Sequence, residues 1–172
     1  MATRHFIPTI VVSGFPGIGK SFIATKVPYM VRDLESSDYH WKGTRGEFDL
    51  DENGNKIPME NWPHNYIRDI KELDKAKMYR NVMVSSHEMI REEMAKSGIK
   101  YTNVFPENTP EMKQYMLKRY RDRQSPQSFI DDIDKNWDRY IASMENDKGS
   151  VMNIKLNKEY INMWSTWMLM EW

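Results

Sequence analysis

The chain contains no cysteine among its 172 residues. This absence excludes a disulfide framework, a thiolate metal site and a cysteine nucleophile. Neither sign of charge is in excess, since 25 basic residues face 25 acidic ones, and this balance does not support a strongly basic nucleic-acid-binding surface. No stretch approaches the roughly 20 apolar residues of a membrane helix. Residues 1–5 lack a signal peptide, so we expect a cytoplasmic protein that does not bind membranes.

One motif stands out in this background. Residues 14–21 read GFPGIGKS and match the phosphate-binding pattern G-x-x-x-x-G-K-[ST]. The apolar residues 6–13 before it predict a buried strand, and residues 21–27 after it predict a helix that ends before Pro28. A strand, a glycine-rich loop and a helix in this order are the context that the motif requires. We name residues 14–21 the phosphate loop and expect it to bind a nucleotide.

The residue types of the phosphate loop explain how it would bind phosphates. Glycines let consecutive backbone N–H groups turn toward an anion without steric clashes, and the start of the following helix favours the same anion. Lys20 can reach the β- and γ-phosphates, and the Ser21 hydroxyl can ligate Mg²⁺. We therefore expect ATP and Mg²⁺ as cofactors. The predicted nucleotide-binding residues are Gly14, Pro16, Gly17, Ile18, Gly19, Lys20 and Ser21.

The remaining pattern predicts a single α/β domain. Strand-like and helical segments alternate with short connections, and neither an internal repeat nor a low-complexity stretch interrupts them. Right-handed crossovers between successive strands then produce a five-stranded parallel sheet with helices on both faces. The predicted strands are residues 6–13, 29–34, 81–85, 100–105 and 151–156. The predicted helices are residues 21–27, 63–73, 88–96, 110–123, 127–144 and 160–172.

Acids and hydroxyls lie at the tip of the second predicted strand and just after it, at Asp33, Glu35, Ser36 and Ser37. Doubly wound α/β domains bind their ligands beyond the carboxyl ends of the strands, so we expect these residues to face the second substrate. Residues of these types are also common in solvated turns. The third predicted strand lacks the acidic residue that usually ends a Walker B strand. We therefore expect Asp33 or Glu35 to hold the metal's water.

The third predicted strand ends in Ser85, Ser86 and His87. Ser86 is predicted to cap the next helix, because serine side chains accept hydrogen bonds from the first helical N–H groups. His87 either contacts the substrate or is an ordinary residue at a helix start. Gly98 is predicted to end that helix.

Residues 39–62 are polar and rich in turn formers, which predicts an insertion beside the cleft. Residues 49–60 fit the calcium-loop pattern D-x-[DN]-x-[DN]-G-x₅-E. That pattern needs a helix on each side, and neither flank is helical in character, while Pro58 lies inside the loop. Asn53 and Gly54 lie between apolar residues and predict a hairpin with a type I′ turn. We expect a surface hairpin here rather than a calcium site.

The helix at residues 110–123 ends in a cluster of cations. Arg119 and Arg123 are four residues apart and share one helix face. Such cations suit a lid, at about residues 118–128, that neutralises a phosphoryl group in transfer. They also suit a solvated helix end, because positive charge is favourable there. The cluster consists of Lys118, Arg119, Arg121 and Arg123.

The last predicted helix, residues 160–172, is rich in tryptophan and methionine. Its large apolar side chains either cover the sheet or form a partner surface, through which the chain would make a homodimer. These side chains are Trp164, Trp167, Met168 and Trp172.

Together these features resemble P-loop nucleoside monophosphate kinases, particularly the small phage-encoded nucleotide and deoxynucleotide kinases. The matching segments are the phosphate loop and residues 33–37, 84–88 and 117–130. The resemblance covers most of the chain and is most specific in the phosphate loop. It implies a three-layer P-loop NTPase sandwich with sheet order 2-3-1-4-5, Mg-ATP as donor and a mobile lid whose arginine pair matches Arg119 and Arg123. The missing acid and the insertion at residues 39–62 depart from that family.

The predicted activity is transfer of the γ-phosphoryl group of Mg-ATP to a (deoxy)nucleoside monophosphate. The alternatives are a P-loop kinase acting on DNA or a modified base, and an ATP-binding module that holds a partner through its Trp-rich end. The balanced charge favours a small nucleotide acceptor over nucleic acid. The expected catalytic residues are Lys20, Asp33, Arg119 and Arg123, with Ser21 on Mg²⁺. The expected acceptor-binding residues are Asp33, Glu35, Ser36, Ser37, Ser86, His87 and Arg121.

Overall fold

The computed structural model describes residues 8–161. A five-stranded parallel sheet occupies the centre, with strand order β2-β5-β1-β6-β7. Counted among the sheet strands in chain order, this is the predicted order 2-3-1-4-5, and the predicted α/β fold is confirmed. The sheet strands are β1 (Ile10–Gly14), β2 (Val31–Asp33), β5 (Asn81–Ser85), β6 (Tyr101–Pro106) and β7 (Met152–Leu156), and β3 (Gly43–Thr44) and β4 (Glu47–Phe48) form a separate hairpin.

Helices cover both faces of the sheet. Side chains of a strand point alternately to its two faces, so Val12 and Val11 of β1 lie in different cores. Val12 lies with residues of α1, α5 and α6, whereas Val11 lies with residues of α3 and α4. Burial on both faces explains the consecutive apolar residues of the central strands, such as Val11 and Val12 of β1 and residues 82–84 of β5. The helices are α1 (Lys20–Lys26), α2 (Ser37–His40), α3 (His64–Ala76), α4 (Glu88–Lys96), α5 (Pro110–Asp122) and α6 (Gln127–Glu145).

Most predicted elements lie within a few residues of their predicted bounds. The second strand is shorter than predicted, because the backbone N–H of Met30 donates to the Val27 carbonyl and residues 28–30 form a turn. Helix α4 ends as predicted, with Gly98 at φ 71° after the last turn. Residues 158–161 are helical, while residues 162–172 and the proposed Trp-rich surface lie outside the described residues.

The predicted cap of α4 is wrong. His87, with φ −57° and ψ 135°, precedes the helix, and no side chain caps it. The guanidinium of Arg91 donates from Nε to the Ser86 carbonyl at 3.1 Å, which keeps Ser86 in the loop before the helix. Ser86 therefore belongs to the connection between β5 and α4.

The insertion contains two tight turns. Strands β3 and β4 form one hairpin, and the backbone N–H of Gly54 donates to the Asp51 carbonyl at 3.0 Å in the other. The predicted type I′ turn is wrong, since Gly54 has φ 79° but Asn53 has no positive φ. The Asp51 carboxylate accepts hydrogen bonds from the backbone N–H groups of Asn53 and Asn55, at 2.9 and 2.8 Å. These bonds favour a type I turn followed by a G1 bulge at Gly54.

Metal-binding clusters and membrane-spanning helices are both absent from residues 8–161. Over this range, no group of three or more His, Asp or Glu side chains is arranged to hold a metal ion. No helix in the same range combines the length and the apolarity needed to cross a membrane.

Candidate active site

A cleft of about 470 Å³ lies where β1, β2 and β5 end. Because the carboxyl ends of parallel strands meet at one edge of the sheet, the loops that follow these three strands share this space. The end of α5 and the start of α6 close the other side. The cleft is lined by Gly14, Pro16, Gly17, Gly19, Lys20, Ser21, Phe22, Asp33, Leu34, Glu35, Ser36, Ser85, Ser86, His87, Arg119, Arg123 and Phe129.

Buried anchors hold the phosphate loop in place. The side chains of Phe15 and Ile18 are each only 1% exposed, and the backbone N–H of Phe15 donates to the Val104 carbonyl at 2.8 Å. Gly17 has φ 81°, and a Cβ there would lie 2.6 Å from the ring of Tyr120. A side chain at Gly14 would lie 2.8 Å from the stem of Lys20. The loop thus keeps its backbone bare toward the cleft, which suits close approach by a phosphate chain.

Lys20 is held at the floor of the cleft. Its ammonium donates to the carbonyl oxygens of Gly14 and Phe15, at 2.5 and 3.2 Å. Desolvation lowers the pKa of Lys20 from 10.5 to about 8, although the nearby carboxylates of Asp33 and Glu35 oppose this effect. A phosphate would replace the solvation that Lys20 lacks.

Ser21 and Asp33 contact each other across the cleft. The Ser21 hydroxyl donates to the Asp33 carboxylate at 2.6 Å, which joins the first turn of α1 to the last residue of β2. A hydroxyl beside a carboxylate is the oxygen-rich set that Mg²⁺ prefers, with the carboxylate able to hold a metal-bound water. Of the two acids considered for that role, Asp33 is the one bonded to Ser21. These residues fit a Mg²⁺ ion bound with a nucleotide.

Two arginines of the predicted lid line the cleft. Arg119 donates to the Tyr115 hydroxyl at 3.2 Å and to the Gly17 carbonyl at 3.4 Å. The guanidinium of Arg123 stacks on the Tyr120 ring at 4.8 Å and donates to the Ser125 hydroxyl at 2.7 Å. Their side chains bring positive charge to the mouth of the phosphate loop, where phosphoryl oxygens would lie.

The lid region itself consists of the last residues of α5, a turn and the first residues of α6. Tyr120 fastens it to the phosphate loop, because its buried hydroxyl donates to the Pro16 carbonyl at 2.7 Å. Phe129 packs edge-on against the same ring, with centroids 5.2 Å apart. The position of the two arginines is therefore coupled to the conformation of the phosphate loop.

The loop between β5 and α4 forms the remaining wall. His87 belongs to this loop, and its burial lowers the pKa of its imidazole by desolvation. The positive charge of Lys20 lowers this pKa further. Arg91 fixes the position of this loop, because its guanidinium donates a hydrogen bond to the Ser86 carbonyl and forms an ion pair with Asp147 at 2.8 Å. The side chains of Arg91 and Asp147 are only 4% and 10% exposed, so this ion pair is buried.

The structure brings most of the predicted site residues together. Three of them lie elsewhere: Ile18 is in the core, Ser37 begins α2, and Arg121 is exposed on α5. The residues that sequence reasoning missed are Phe22, Leu34, Ser85 and Phe129. Ser85 ends a predicted strand, and the strand-end argument that selected Asp33 and Glu35 applies equally to it. Phe129 carries no comparable local signal.

No family model matches the chain, and no curated protein matches it. Among solved structures, the chain is similar to a gluconokinase from Sinorhizobium meliloti 1021. The two are 17% identical, with a TM-score of 0.48, and the match covers 98% of this chain and 96% of that one. This similarity concerns the fold alone, and the resemblance to phage-encoded nucleotide kinases stays a prediction.

Proposed function

We propose that the protein is an ATP-dependent kinase that phosphorylates a (deoxy)nucleoside monophosphate. The observation that carries this proposal is the single cleft in which Lys20, the Ser21–Asp33 pair and two arginines meet. Phosphoryl transfer depends mainly on positioning and on neutralising charge, and these residues supply both. The sequence resemblance and the cationic side of the cleft support the choice of acceptor.

In the proposed reaction, an oxygen of the acceptor phosphate attacks the γ-phosphorus of ATP. The bond from that phosphorus to the β,γ-bridging oxygen breaks, and ADP leaves with the electron pair. Lys20, Arg119 and Arg123 neutralise the charge on the phosphoryl oxygens as the transfer proceeds. Ser21 and Asp33 would hold Mg²⁺, which when bound offsets the charge of the β- and γ-phosphates.

The two sides of the cleft differ in charge. Asp33 and Glu35 make the β2 side acidic, whereas Arg119 and Arg123 make the α5 side basic. An anionic acceptor is repelled by the first side and attracted by the second. We therefore place the acceptor phosphate near Arg123. Ser36, Ser86 and His87 are proposed to bind uncharged parts of the acceptor.

A second candidate is a kinase whose acceptor is a hydroxyl group, on a small molecule or at the end of a nucleic acid. The carboxylates of Asp33 and Glu35 favour it, because a carboxylate in the cleft can take the proton of an attacking hydroxyl. A phosphate oxygen that is already deprotonated needs no such base.

The test is a panel of ribo- and deoxynucleoside monophosphates with Mg-ATP, followed by ADP release and by identification of the phosphorylated product. We expect at least one monophosphate to become a diphosphate. Lys20→Ala should abolish this transfer while circular dichroism shows an unchanged fold, because Lys20 lines the cleft and acts on the charge of the phosphates rather than packing in a hydrophobic core. Unchanged turnover in Lys20→Ala would contradict the proposal, and phosphorylation of hydroxyl compounds alone would favour the second candidate.

A further inference from the structure

A second cavity opens beside the cleft, between α4 and α6. It has a volume of about 220 Å³, and we name it the side cavity. Pro16, Ser86, His87 and Phe129 line both the cleft and the side cavity. The two spaces are therefore neighbours that share one wall, and a ligand in the cleft can extend past His87 and Phe129 into the side cavity.

Most of the surface of the side cavity is apolar, while polar and charged side chains interrupt it at several points of its lining. These are Ser86, His87, Glu88, Arg91, Asp132, Arg139 and Ser143. Phe15, Ile133 and Met144 form its buried part. At its outer part the Tyr140 hydroxyl donates to the Asp132 carboxylate at 2.7 Å, and the Arg139 guanidinium lies 5.0 Å from the Tyr140 ring. A mainly apolar surface with hydrogen-bonding side chains at its edge suits a heteroaromatic ring, whose faces are apolar and whose edge carries donors and acceptors.

The volume of the side cavity also restricts the ligand. Pockets for whole drug-sized ligands are roughly 300–1,000 Å³, so a cavity of about 220 Å³ suits one ring system rather than an entire nucleotide. The phosphate and the sugar would then remain in the cleft.

The charges of the cleft also favour an acceptor that extends from Arg123 toward the side cavity. Arg123 stacks within 5.8 Å of the Phe129 ring, and Phe129 separates the basic side of the cleft from the side cavity. An acceptor whose phosphate lies at Arg123 thus has the side cavity next to it. The opposite direction leads to the acidic side, at Asp33 and Glu35.

We propose that the side cavity holds the nucleobase of the acceptor nucleotide, with Arg139 and Asp132 contacting the edge of the base. This inference rests on the proposed function. It makes Arg139 and Asp132 of α6 determinants of acceptor specificity. It also predicts that an acceptor phosphate without a base is a poor substrate.

The experiment compares nucleoside monophosphates with ribose 5-phosphate, which carries the phosphate and the sugar but no base. We expect the wild-type enzyme to prefer the best monophosphate by about tenfold or more in kcat/KM, the size of a lost charged hydrogen bond. Arg139→Ala should raise the KM for that monophosphate by about tenfold and leave the KM for ATP and the turnover of ribose 5-phosphate unchanged. Lys135→Ala, one turn away on α6 and exposed, is the matched control.

A binding measurement separates this inference from the proposed function. Titration of the wild-type protein and of Arg139→Ala with unphosphorylated nucleosides, in the presence of ADP, needs no turnover. Weaker binding in Arg139→Ala alone supports the side cavity whichever group is phosphorylated. The inference is overturned if no nucleoside binds the wild-type protein, or if Arg139→Ala behaves like Lys135→Ala. Monophosphate turnover with equal use of ribose 5-phosphate would overturn it while leaving the proposed function in place.

Discussion

Lys20 carries its positive charge in a desolvated position, which disfavours the protonated form of the side chain. Burial lowers its pKa to about 8, so the ammonium that should meet the phosphates begins to lose its proton just above neutral pH. The activity and the stability of the free enzyme then respond to pH in opposite directions. Activity needs the protonated lysine, whereas the folded state is stabilised when the buried ammonium becomes neutral.

The first prediction concerns both responses. We expect kcat/KM for ATP to fall as pH rises through about 8, because this parameter reports the pKa values of the free enzyme. The free energy of unfolding should rise over the window from about 8 to 10.5, because there the unfolded state binds more protons than the folded state. Activity assays and urea unfolding across this range measure the two effects.

Lys20→Met is the control for the stability response, since it removes the titrating group. In this variant the contribution of Lys20 to the pH dependence of the free energy of unfolding should disappear, while other groups titrate as before. A wild-type kcat/KM that stays level up to pH 10 would show that Lys20 keeps its proton and would contradict the prediction.

At the residue scale, sequence reasoning succeeds where the chemistry is local. Eight consecutive residues form the phosphate loop, and their spacing alone brings Lys20 and Ser21 to one side of the cleft. Local rules failed at Ser86 and Asn53. At Ser86 a guanidinium from α4 holds the carbonyl, and at Asn53 the Asp51 carboxylate sets the turn. Each failure comes from a side chain that competes for the backbone.

At the scale of elements, α5 holds its arginines against the phosphate loop through Tyr120. The second prediction is that Arg119→Ala and Arg123→Ala each lower kcat by about 10²-fold or more, with smaller effects on ATP affinity. A preorganised charge that acts mainly in the transition state behaves this way. Steady-state kinetics with ATP and the acceptor varied separately would measure both parameters.

Arg121→Ala is the matched control, because Arg121 lies on the same helix but outside the cleft. Its kcat should stay within about twofold of wild type, as expected of a surface substitution. If all three variants lost thermal stability and none lost kcat, the cationic end of α5 would be a structural feature and not part of the site.

The elements themselves were largely predictable, since strands such as β5 are short apolar runs and α6 has a clear apolar stripe. The insertion was predictable only as a polar, turn-rich segment, because two-residue strands such as β3 carry no periodicity. The side cavity was not predictable. It depends on how α4 and α6 approach each other, and that approach is set by contacts distant in sequence.

At the scale of the whole molecule, one buried ion pair joins three elements around the site. Arg91 of α4 pairs with Asp147, just after α6, and the Asp147 carboxylate also accepts bonds from Tyr101 and Asn103 of β6. The third prediction is that Arg91→Met lowers the free energy of unfolding by about 3 kcal/mol, because it leaves a buried carboxylate without its cation. Urea denaturation measures the change.

Lys96→Ala provides the comparison for that prediction. Lys96 pairs with Glu93 on the exposed face of the same helix, and the loss of such a surface pair should lower the free energy of unfolding far less than the loss of the buried pair. The double variant Arg91→Met with Asp147→Asn should recover part of the loss, since it removes the unpaired charge. Equal effects of Arg91→Met and Lys96→Ala would show that the buried pair adds no more to stability than a surface pair does.

The charge distribution of the whole molecule bears on the acceptor. The sequence carries 25 basic and 25 acidic residues, and in its densest cationic segment Lys118 is paired with Asp122 at 2.6 Å. Arg119 and Arg123 of that segment line the cleft. Polymer binding needs cations spread along a groove, and six to ten phosphate contacts make affinity fall about 10³- to 10⁵-fold between roughly 50 and 200 mM salt.

The fourth prediction is therefore that the acceptor is a free mononucleotide. Its kcat/KM should fall by less than about tenfold between roughly 50 and 200 mM salt, because only a few cations contact it. Single-stranded and duplex DNA, added at the concentration of the acceptor, should leave its turnover unchanged. Radiolabelled ATP with a mixture of monophosphates and oligonucleotides measures both in one reaction, since the products separate by size. Label found only in the oligonucleotide would identify a polymer kinase, because a cleft that accepts a free mononucleotide would label that acceptor as well.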